Sequence, residues 1–265
     1  MTGHPLADDL NFALGLADLA DEIAMASFRA VDLVVETKPD LSPVSEADRA
    51  VERALRDQIS VSRPSDSILG EEYGVDGDTR RRWIIDPIDG TKNYVRGVPV
   101  WATLIALVED GEIVLGVVSA PALARRWWAA RGSGAFVLDP GAPEPRRLRV
   151  SAVASLADAS FSYSDAVGWA ERGAAEGLGT LLAATWRQRA YGDFWSHMMV
   201  AEGVADIAAE PVLESYDMAA LVPIVEEAGG RLTAFDGTPA LVGGSALSTN
   251  GVLHTGLVDL LHPRG

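Results

Sequence analysis

Two acidic side chains lie at the end of an apolar run in the segment Trp83–Asn93, which reads WIIDPIDGTKN. Asp86 and Asp89 are three positions apart there, and a Gly-Thr pair that can open a helix follows at once. Pro87 fixes its own φ and restricts the residue before it, so the sequence predicts a bend here instead of a continuing strand. A bend would turn both carboxylates and the next two amides toward one point. Carboxylates bind hard cations and amides at a helix start bind phosphate, so the segment predicts a metal-assisted phosphoryl site.

Three further acidic segments stand at the ends of predicted elements. Glu71 follows a short apolar strand, Asp217 lies in the first turn of a strongly helical run, and Asp48 follows Ser45, a residue that can cap a helix. Taken alone, Asp-Pro and Asp-Gly are common turn formers, so the central segment would also fit a surface turn. Its combination with the other acidic ends favours the metal site.

The set resembles the inositol-monophosphatase superfamily of Mg²⁺-dependent, Li⁺-sensitive phosphomonoesterases. The family's G-E-E, W-x-I-D-P-x-D-G-T-x-N-[FY] and W-D-x-A-A motifs read here as Gly70–Glu72, Trp83–Tyr94 and Tyr216–Ala220. The resemblance spans roughly the whole chain, and the long central motif makes it specific. It departs from the family pattern at Tyr216, where many members have tryptophan.

This resemblance implies a ligand set, residue by residue. The implied metal ligands are Glu71, Asp86, Asp89, Asp217 and the backbone carbonyl of Ile88. Thr91 matches the residue that orients the attacking water, assisted by Glu71 or Asp48, and the amides of Gly90 and Thr91 would bind phosphate. The resemblance implies two or three Mg²⁺ ions in each site, with Mn²⁺ as a possible substitute, and metal-activated water as the nucleophile.

Within the superfamily, the segments 192–195, 200–207 and 216–225 are more similar to the histidinol-phosphate phosphatase branch of actinobacterial type. That branch implies hydrolysis of L-histidinol phosphate to L-histidinol and phosphate, a step of histidine biosynthesis. The implied substrate-binding residues are Asp193, Glu210 and Asp217. Glu210 matches the residue that touches the organic part of the substrate in inositol monophosphatases, and Asp193 lies in a segment lining the same pocket. Two carboxylates there suit a cationic amine and imidazole better than a neutral polyol.

Several alternatives stay open at this point. The substrate could be an inositol phosphate or another small sugar phosphate, Asp193 could simply cap a helix, and Glu210 could be a surface carboxylate. A non-catalytic metal-binding homologue would require loss of a ligand or of Thr91, and all of them are present. Haloacid-dehalogenase-type phosphatases use D-x-D-G-T with a nucleophilic first aspartate. Here two residues separate Asp86 from Asp89, so that class is excluded.

Composition limits the partners. The chain has 265 residues with 48% hydrophobic content, enough to bury a sizeable core. Its net charge of −16 argues against nucleic acid or an anionic membrane as partner. The absence of cysteine excludes disulfides and cysteine nucleophiles. No apolar run is long enough to span a bilayer and the start does not read as a signal peptide, so we expect a cytoplasmic enzyme acting on a small phosphorylated substrate. The family resemblance implies a homodimer.

Periodicity predicts the elements that position these residues. Helices are predicted over 5–30, 45–59, 170–183, 193–203, 217–228 and 253–261, and strands over 67–70, 82–86, 101–109, 112–119, 125–130, 135–138, 161–164, 186–190, 205–209, 231–235 and 246–249. Hairpins first and alternation later indicate a layered α/β (α+β) fold. The resemblance implies the αβαβα sandwich of the inositol-monophosphatase/fructose-bisphosphatase type. We expect one catalytic unit, 1–265, with lobes 1–140 and 141–265 divided near the proline-rich segment 139–145. Trp127, Trp128 and Trp195 are expected to be core or interface residues.

Overall fold

Helices and β-sheets alternate in layers in the computed structural model, which describes residues 6–31, 33–37, 43–164 and 166–262. Its helices are α1 (Ala7–Ser27), α2 (Glu46–Ser62), α3 (Thr91–Val95), α4 (Ala166–Glu171), α5 (Ala175–Ala184), α6 (Asp193–Ala201), α7 (Ser215–Met218), α8 (Leu221–Glu227), α9 (Ala240–Gly243) and α10 (His254–Leu261). Its strands are β1 (Val35–Thr37), β2 (Pro43–Ser45), β3 (Ser67–Gly70), β4 (Gly74–Asp76), β5 (Arg81–Asp89), β6 (Ala102–Glu109), β7 (Glu112–Ala120), β8 (Arg125–Ala130), β9 (Gly134–Leu138), β10 (Arg146–Arg147), β11 (Ser160–Tyr163), β12 (Arg187–Arg189), β13 (Ile207–Glu210), β14 (Arg231–Thr233) and β15 (Ala246–Thr249).

Two large sheets carry the architecture. The first has eight strands in the order β10-β9-β8-β7-β6-β5-β3-β4, and the second has five in the order β12-β11-β13-β15-β14. In the first sheet only the β3–β5 pair is parallel among the described strands. In the second, β11 runs parallel to both β12 and β13, and β15 is antiparallel to its neighbours. A small β1–β2 pair lies apart from both.

The layers follow from side-chain alternation along the central strands. On β6, Ile105 and Leu107 pack with the apolar side chains of α1 and α2, whereas Leu104 and Ala106 pack with those of α6 and α8. Helices α6 and α8 also contact the second sheet, and α4, α5 and α10 cover the far face of that sheet. The order is therefore helix, sheet, helix, sheet, helix. This confirms the predicted αβαβα fold.

The predicted bend at Pro87 is wrong in form. Strand β5 continues through the proline to Asp89, and its register against β6 shifts between Asp86 and Asp89, opposite Leu104 and Ala102. One extra residue on β5 makes this a bulge, which accommodates a residue with no N–H and bends the strand without ending it. The bulge changes the direction of the two acidic side chains, so both carboxylates still turn toward one point, as expected from the predicted bend.

Two predicted helices are each divided. The helix predicted over 170–183 is the pair α4 and α5, separated at Gly173, whose φ of +74° favours glycine. The helix predicted over 217–228 is α7 followed by α8. Pro223 lies in the first turn of α8, where its missing N–H is not needed, and so favours a new helix start there.

The remaining elements agree with prediction to within a few residues. The start of the first predicted helix, at Pro5, lies outside the described residues. The two-lobe division stays a prediction, and β10 at 146–147 still pairs with β9 of the eight-stranded sheet. Trp127 is fully buried in the core as expected, and Trp128 and Trp195 pack on core clusters. Every described helix is too short or too polar to be a candidate membrane span.

Candidate active site

Three carboxylates converge where β5 ends and α7 begins. Each of Asp86, Asp89 and Asp217 offers an oxygen within 4.8 Å of the others. Asp86 is 1% exposed and Asp89 is 9% exposed, so two of the three charges are withdrawn from water. These are acids that the sequence predicts as metal ligands, and the structure brings Asp217 to the other two across at least 128 positions of the chain.

The electrostatics of this cluster favour a bound cation. Burial raises the pKa of Asp86 well above its usual range, and the negative charges of Glu71, Asp89 and Asp217 raise it further. Burial also raises the pKa of Asp89, with Asp193 and Asp217 adding to the effect. Buried carboxylates are normally paired or coordinate metals, and an all-oxygen donor set is typical of hard divalent cations. The cluster therefore fits a metal ion, whose binding would displace the protons that otherwise neutralise these groups.

Asp217 is oriented by its own helix start. The Glu214 amide donates to Asp217 Oδ2 at 2.7 Å in a capping box around the first turn of α7. Burial raises the pKa of Asp217 to about 7, although the Glu214 amide opposes the rise. One carboxylate oxygen is thus held by the backbone while the other remains available to the cluster.

Glu71 and Ile88 flank the three carboxylates. Glu71 follows β3, its amide donates to the Ile85 carbonyl at 3.3 Å, and its charge raises the pKa of both Asp86 and Asp217. The Ile88 side chain is fully buried, and its amide donates to Asp86 Oδ1 at 3.0 Å. Both residues therefore lie near the cluster, and their role as metal ligands stays a prediction.

Thr91 is linked to Asp48 through its hydroxyl. Thr91 Oγ1 lies 3.2 Å from Asp48 Oδ1 and 3.0 Å from the Ile88 carbonyl oxygen. The Ser45 amide and hydroxyl donate to the other oxygen, Asp48 Oδ2, in the predicted cap at the start of α2. Burial raises the pKa of Asp48, which is 0% exposed. Asp48 thus faces Thr91 with one oxygen and the α2 cap with the other.

Gly90 forms the turn between β5 and α3. Its φ of +82° lies in the left-handed region, and a Cβ there would approach the Val100 carbonyl oxygen to 3.1 Å. Glycine therefore permits the chain to pass from the bulge straight into the helix that begins at Thr91. The sequence predicts a helix that starts near Thr91, and the helix found there is short, with five residues.

A cavity of about 480 Å³ adjoins the carboxylate cluster, and Asp193 and Glu210 both line it together with Asp89 and Asp217. Burial and the charge of Glu210 together raise the pKa of Asp193 to about 7, against the opposing charge of Lys92. The helix-cap alternative for Asp193 is wrong: Gly192 is the capping residue, and Asp193 begins α6 without a side-chain capping bond. Glu210 is 5% exposed, so the surface-carboxylate alternative is wrong as well.

Sequence reasoning missed the residues that hold these acids. The Phe194 amide donates to Asp89 Oδ2 at 2.8 Å, and Asn93 Nδ2 donates to Asp193 Oδ2 at 3.0 Å. Asp193 adopts a φ of +52°, in the left-handed region that residues other than glycine rarely occupy and that is common at functional sites. Asn93 lies within the family motif, so sequence reasoning could have identified it as a site residue. The contact from residue 194 is made by a backbone amide, which any residue type except proline offers, so the sequence does not indicate it.

Comparisons with known proteins agree with this geometry. The profile of the Inositol monophosphatase family matches residues 6–264. The chain is 57% identical to the histidinol-phosphatase of Mycobacterium tuberculosis, covering 96% of this chain and 98% of the relative. It is 56% identical to the histidinol-phosphatase of Streptomyces coelicolor, covering 97% and 98%. The solved structure of a Thermotoga maritima IMPase superposes with a TM-score of 0.84 at 35% identity, covering 96% of each chain. The resemblance read from the motifs is thereby confirmed: this chain belongs to the inositol monophosphatase family.

Proposed function

We propose that this phosphomonoesterase is a Mg²⁺-dependent histidinol-phosphatase that hydrolyses L-histidinol phosphate to L-histidinol and phosphate. The observation that carries the proposal is the pair Asp193 and Glu210, two buried carboxylates that line a cavity beside the candidate metal cluster. A polyol offers no positive charge to such a pair, whereas the ammonium and imidazole of histidinol do. The names of the Mycobacterium and Streptomyces relatives support the same substrate.

Asp86, Asp89 and Asp217 would hold the metal, since each offers an oxygen within 4.8 Å of the others at the end of β5. Glu71, whose charge acts on Asp86, and the Ile88 carbonyl would be further ligands, as the family resemblance implies. When bound, Mg²⁺ would supply Lewis acidity to the phosphate and lower the pKa of the attacking water. Mn²⁺ offers the same chemistry to an all-oxygen site. We propose that two or three ions bind in each site, and titration calorimetry would measure their number.

Thr91 would orient the nucleophile. If its hydroxyl donates to Asp48 Oδ1, at 3.2 Å, a lone pair of Oγ1 is left to accept a proton from the attacking water. Asp48 is the candidate to receive a proton relayed by Thr91, because Asp48 Oδ1 faces the Thr91 hydroxyl. The other carboxylate oxygen, Asp48 Oδ2, already accepts from Ser45. The amides of Gly90 and Thr91 would bind phosphate oxygens at the start of α3.

Recognition of the leaving group would rest on Glu210. Its charge also raises the pKa of Asp193, so the two carboxylates repel each other until a cation enters between them. Histidinol would relieve this repulsion, and a neutral leaving group would not. The expected gain is that of a charge-assisted hydrogen bond, about 1.5–3 kcal/mol.

The test is a phosphate-release panel with Mg²⁺, comparing histidinol phosphate, inositol phosphates, fructose bisphosphate and p-nitrophenyl phosphate. We expect histidinol phosphate to have the highest kcat/KM. Glu210→Gln should lower the ratio of kcat/KM for histidinol phosphate to that for p-nitrophenyl phosphate by about 10- to 150-fold. The matched control is Glu171→Gln, the same change at an exposed position on α4. Preference for an inositol or sugar phosphate in the unmodified enzyme would reject the histidinol assignment.

We also propose a homodimer located in the cytoplasm. Strand β12 forms one edge of the five-stranded sheet, and Trp186 beside it is 69% exposed. A large aromatic side chain beside an open sheet edge is typical of an interface between chains. The absence of cysteine suits a reducing compartment.

A further inference from the structure

A buried histidine, His197, lies behind Glu210. Its side chain is 1% exposed, and its Nε2 faces Glu210 Oε1 at 3.4 Å. Its other ring nitrogen, Nδ1, lies 2.6 Å from Ser248 Oγ. Ser248, His197 and Glu210 therefore form a continuous polar chain that ends at the substrate cavity.

Three elements create this chain. His197 stands on α6, one turn after Asp193, while Glu210 ends β13 and Ser248 lies on β15. In the antiparallel β13–β15 pair, Ser248 is opposite Ala208, two residues before Glu210. Because side chains alternate along a strand, Ser248 and Glu210 point to the same face of the sheet. That face is the one α6 packs against, so the imidazole bridges the two strands.

The surroundings of the ring indicate which nitrogen carries the proton. Within the described residues, His197 Nε2 and Glu210 Oε1 are both buried and make no hydrogen bond, and each faces the other at 3.4 Å. Buried polar atoms are nearly always hydrogen-bonded, and an ionised carboxylate can only accept. A bond between the two therefore requires the proton on Nε2. In the neutral ring, Nδ1 then accepts from the Ser248 hydroxyl.

We propose that His197 is a positioning residue for Glu210. Its Nε2–H would fix one carboxylate oxygen and so leave the other for the cationic group of the substrate. Holding the carboxylate in one rotamer before the substrate arrives removes an ordering cost from binding. The role in substrate choice rests on the proposed function, but the link between His197 and Glu210 does not.

The kinetic test uses His197→Leu, which removes the donor, and His197→Gln, whose amide can place an N–H close to Nε2. We expect His197→Leu to lower the ratio of kcat/KM for histidinol phosphate to that for p-nitrophenyl phosphate by about tenfold. His197→Gln should restore most of that ratio, which a merely structural change would not do. In the Glu210→Gln background, His197→Leu should lower the ratio by less than about twofold, because its target is gone. Losses that multiply in the double variant would overturn the proposal.

A second measurement needs neither activity nor a folded leucine variant. Long-range ¹H–¹⁵N NMR of the unmodified protein reports which ring nitrogens carry protons, and the spectrum of His197→Gln identifies the signals of His197. We expect a proton on Nε2 and a changed Nε2 shift in Glu210→Gln. An Nε2 without a proton would overturn the proposal. The enzyme could instead fail to hydrolyse histidinol phosphate while Nε2 is protonated and linked to Glu210. That result would reject the proposed substrate and leave the positioning role intact. The role would then be measured with the phosphate ester that the enzyme prefers.

Discussion

Replacing Asp217 by asparagine is expected to stabilise the metal-free protein while abolishing hydrolysis. Asp217 is mostly buried among acids, and its carboxylate is costly to keep charged without a cation. Asparagine has almost the same shape and carries no charge. The substitution therefore separates the electrostatic cost of the site from its chemical use.

The magnitude follows from the pKa of Asp217. Burial raises that pKa from its ordinary value of 3.8 to about 7, which corresponds to a cost of about 4 kcal/mol for the charged form at pH 8. That pKa already includes the opposing bond from the Glu214 amide, at 2.7 Å, and the asparagine carbonyl can still accept it. The expected stabilisation at pH 8 is therefore about 4 kcal/mol, or about 8 °C in Tm for a chain of this length.

The effect depends on pH in a defined direction. A carboxyl whose pKa is higher in the folded state binds more protons when folded, so its contribution lowers stability as pH rises from about 4 to about 7. Stabilisation by Asp217→Asn should therefore be full at pH 8 and nearly absent at pH 4. At pH 4 both side chains are neutral in the folded protein, so the variant should be about as stable as the unmodified protein.

Thermal unfolding followed by circular dichroism, in EDTA at pH 4 and pH 8, measures both effects. Mg²⁺ titrated at pH 8 should stabilise the unmodified protein by about 2.7 kcal/mol when it reaches 100 times its Kd, and should stabilise the variant far less. Glu171→Gln serves as the control for loss of one charge. A variant that melts below the unmodified protein at both pH values, or that gains equally from Mg²⁺, would refute the reasoning.

Two other predictions concern parts of the molecule away from the metal cluster. Burial lowers the pKa of His254 from 6.5 to about 4, so as the pH falls the unfolded chain takes up a proton before the folded protein does. The free energy of unfolding should therefore decrease by about 2 kcal/mol between pH 7 and pH 5. His254→Gln should flatten that fall in denaturant titrations; an unchanged slope would contradict the assignment. For the proposed dimer, light scattering should give twice the chain mass of 28.0 kDa, and Trp186→Ser should shift it toward the monomer. A monomer at every concentration would end that proposal.

The metal-ligand candidates could be predicted because their signals are local. Asp86 and Asp89 stand three residues apart around a proline, and Asp217 opens a helical run, so residue type and spacing already indicate their chemistry. The form of the turn could not be read in the same way. Pro87 excludes a regular ladder, but whether a strand ends or bulges depends on its partner, and β6 supplies the pairing that carries β5 past the proline.

The residues that support the substrate cavity escaped prediction because their partners are distant in sequence. The Phe194 amide reaches Asp89 across 105 positions, and His197 meets Ser248 across 51. Neither contact has a local pattern: a buried histidine within a helix reads the same whether it packs in the core or holds a carboxylate. Only the pairing of β13 with β15 and the packing of α6 bring these groups together.

Helix α6 therefore connects the two halves of the site. Its first turn supplies Asp193 to the cavity and the Phe194 amide to Asp89, and its second turn supplies His197 to Glu210. A displacement of this helix would move the proposed metal ligand Asp89 and the two proposed substrate carboxylates together. In the proposed function, metal binding and leaving-group recognition therefore both depend on the position of α6. Phe194 and Met198 are almost completely buried against the eight-stranded sheet, and this packing keeps the shared support in place. Charge balance makes the same connection, because Asp193 raises the pKa of Asp89 and a cation at either place favours ionisation at the other.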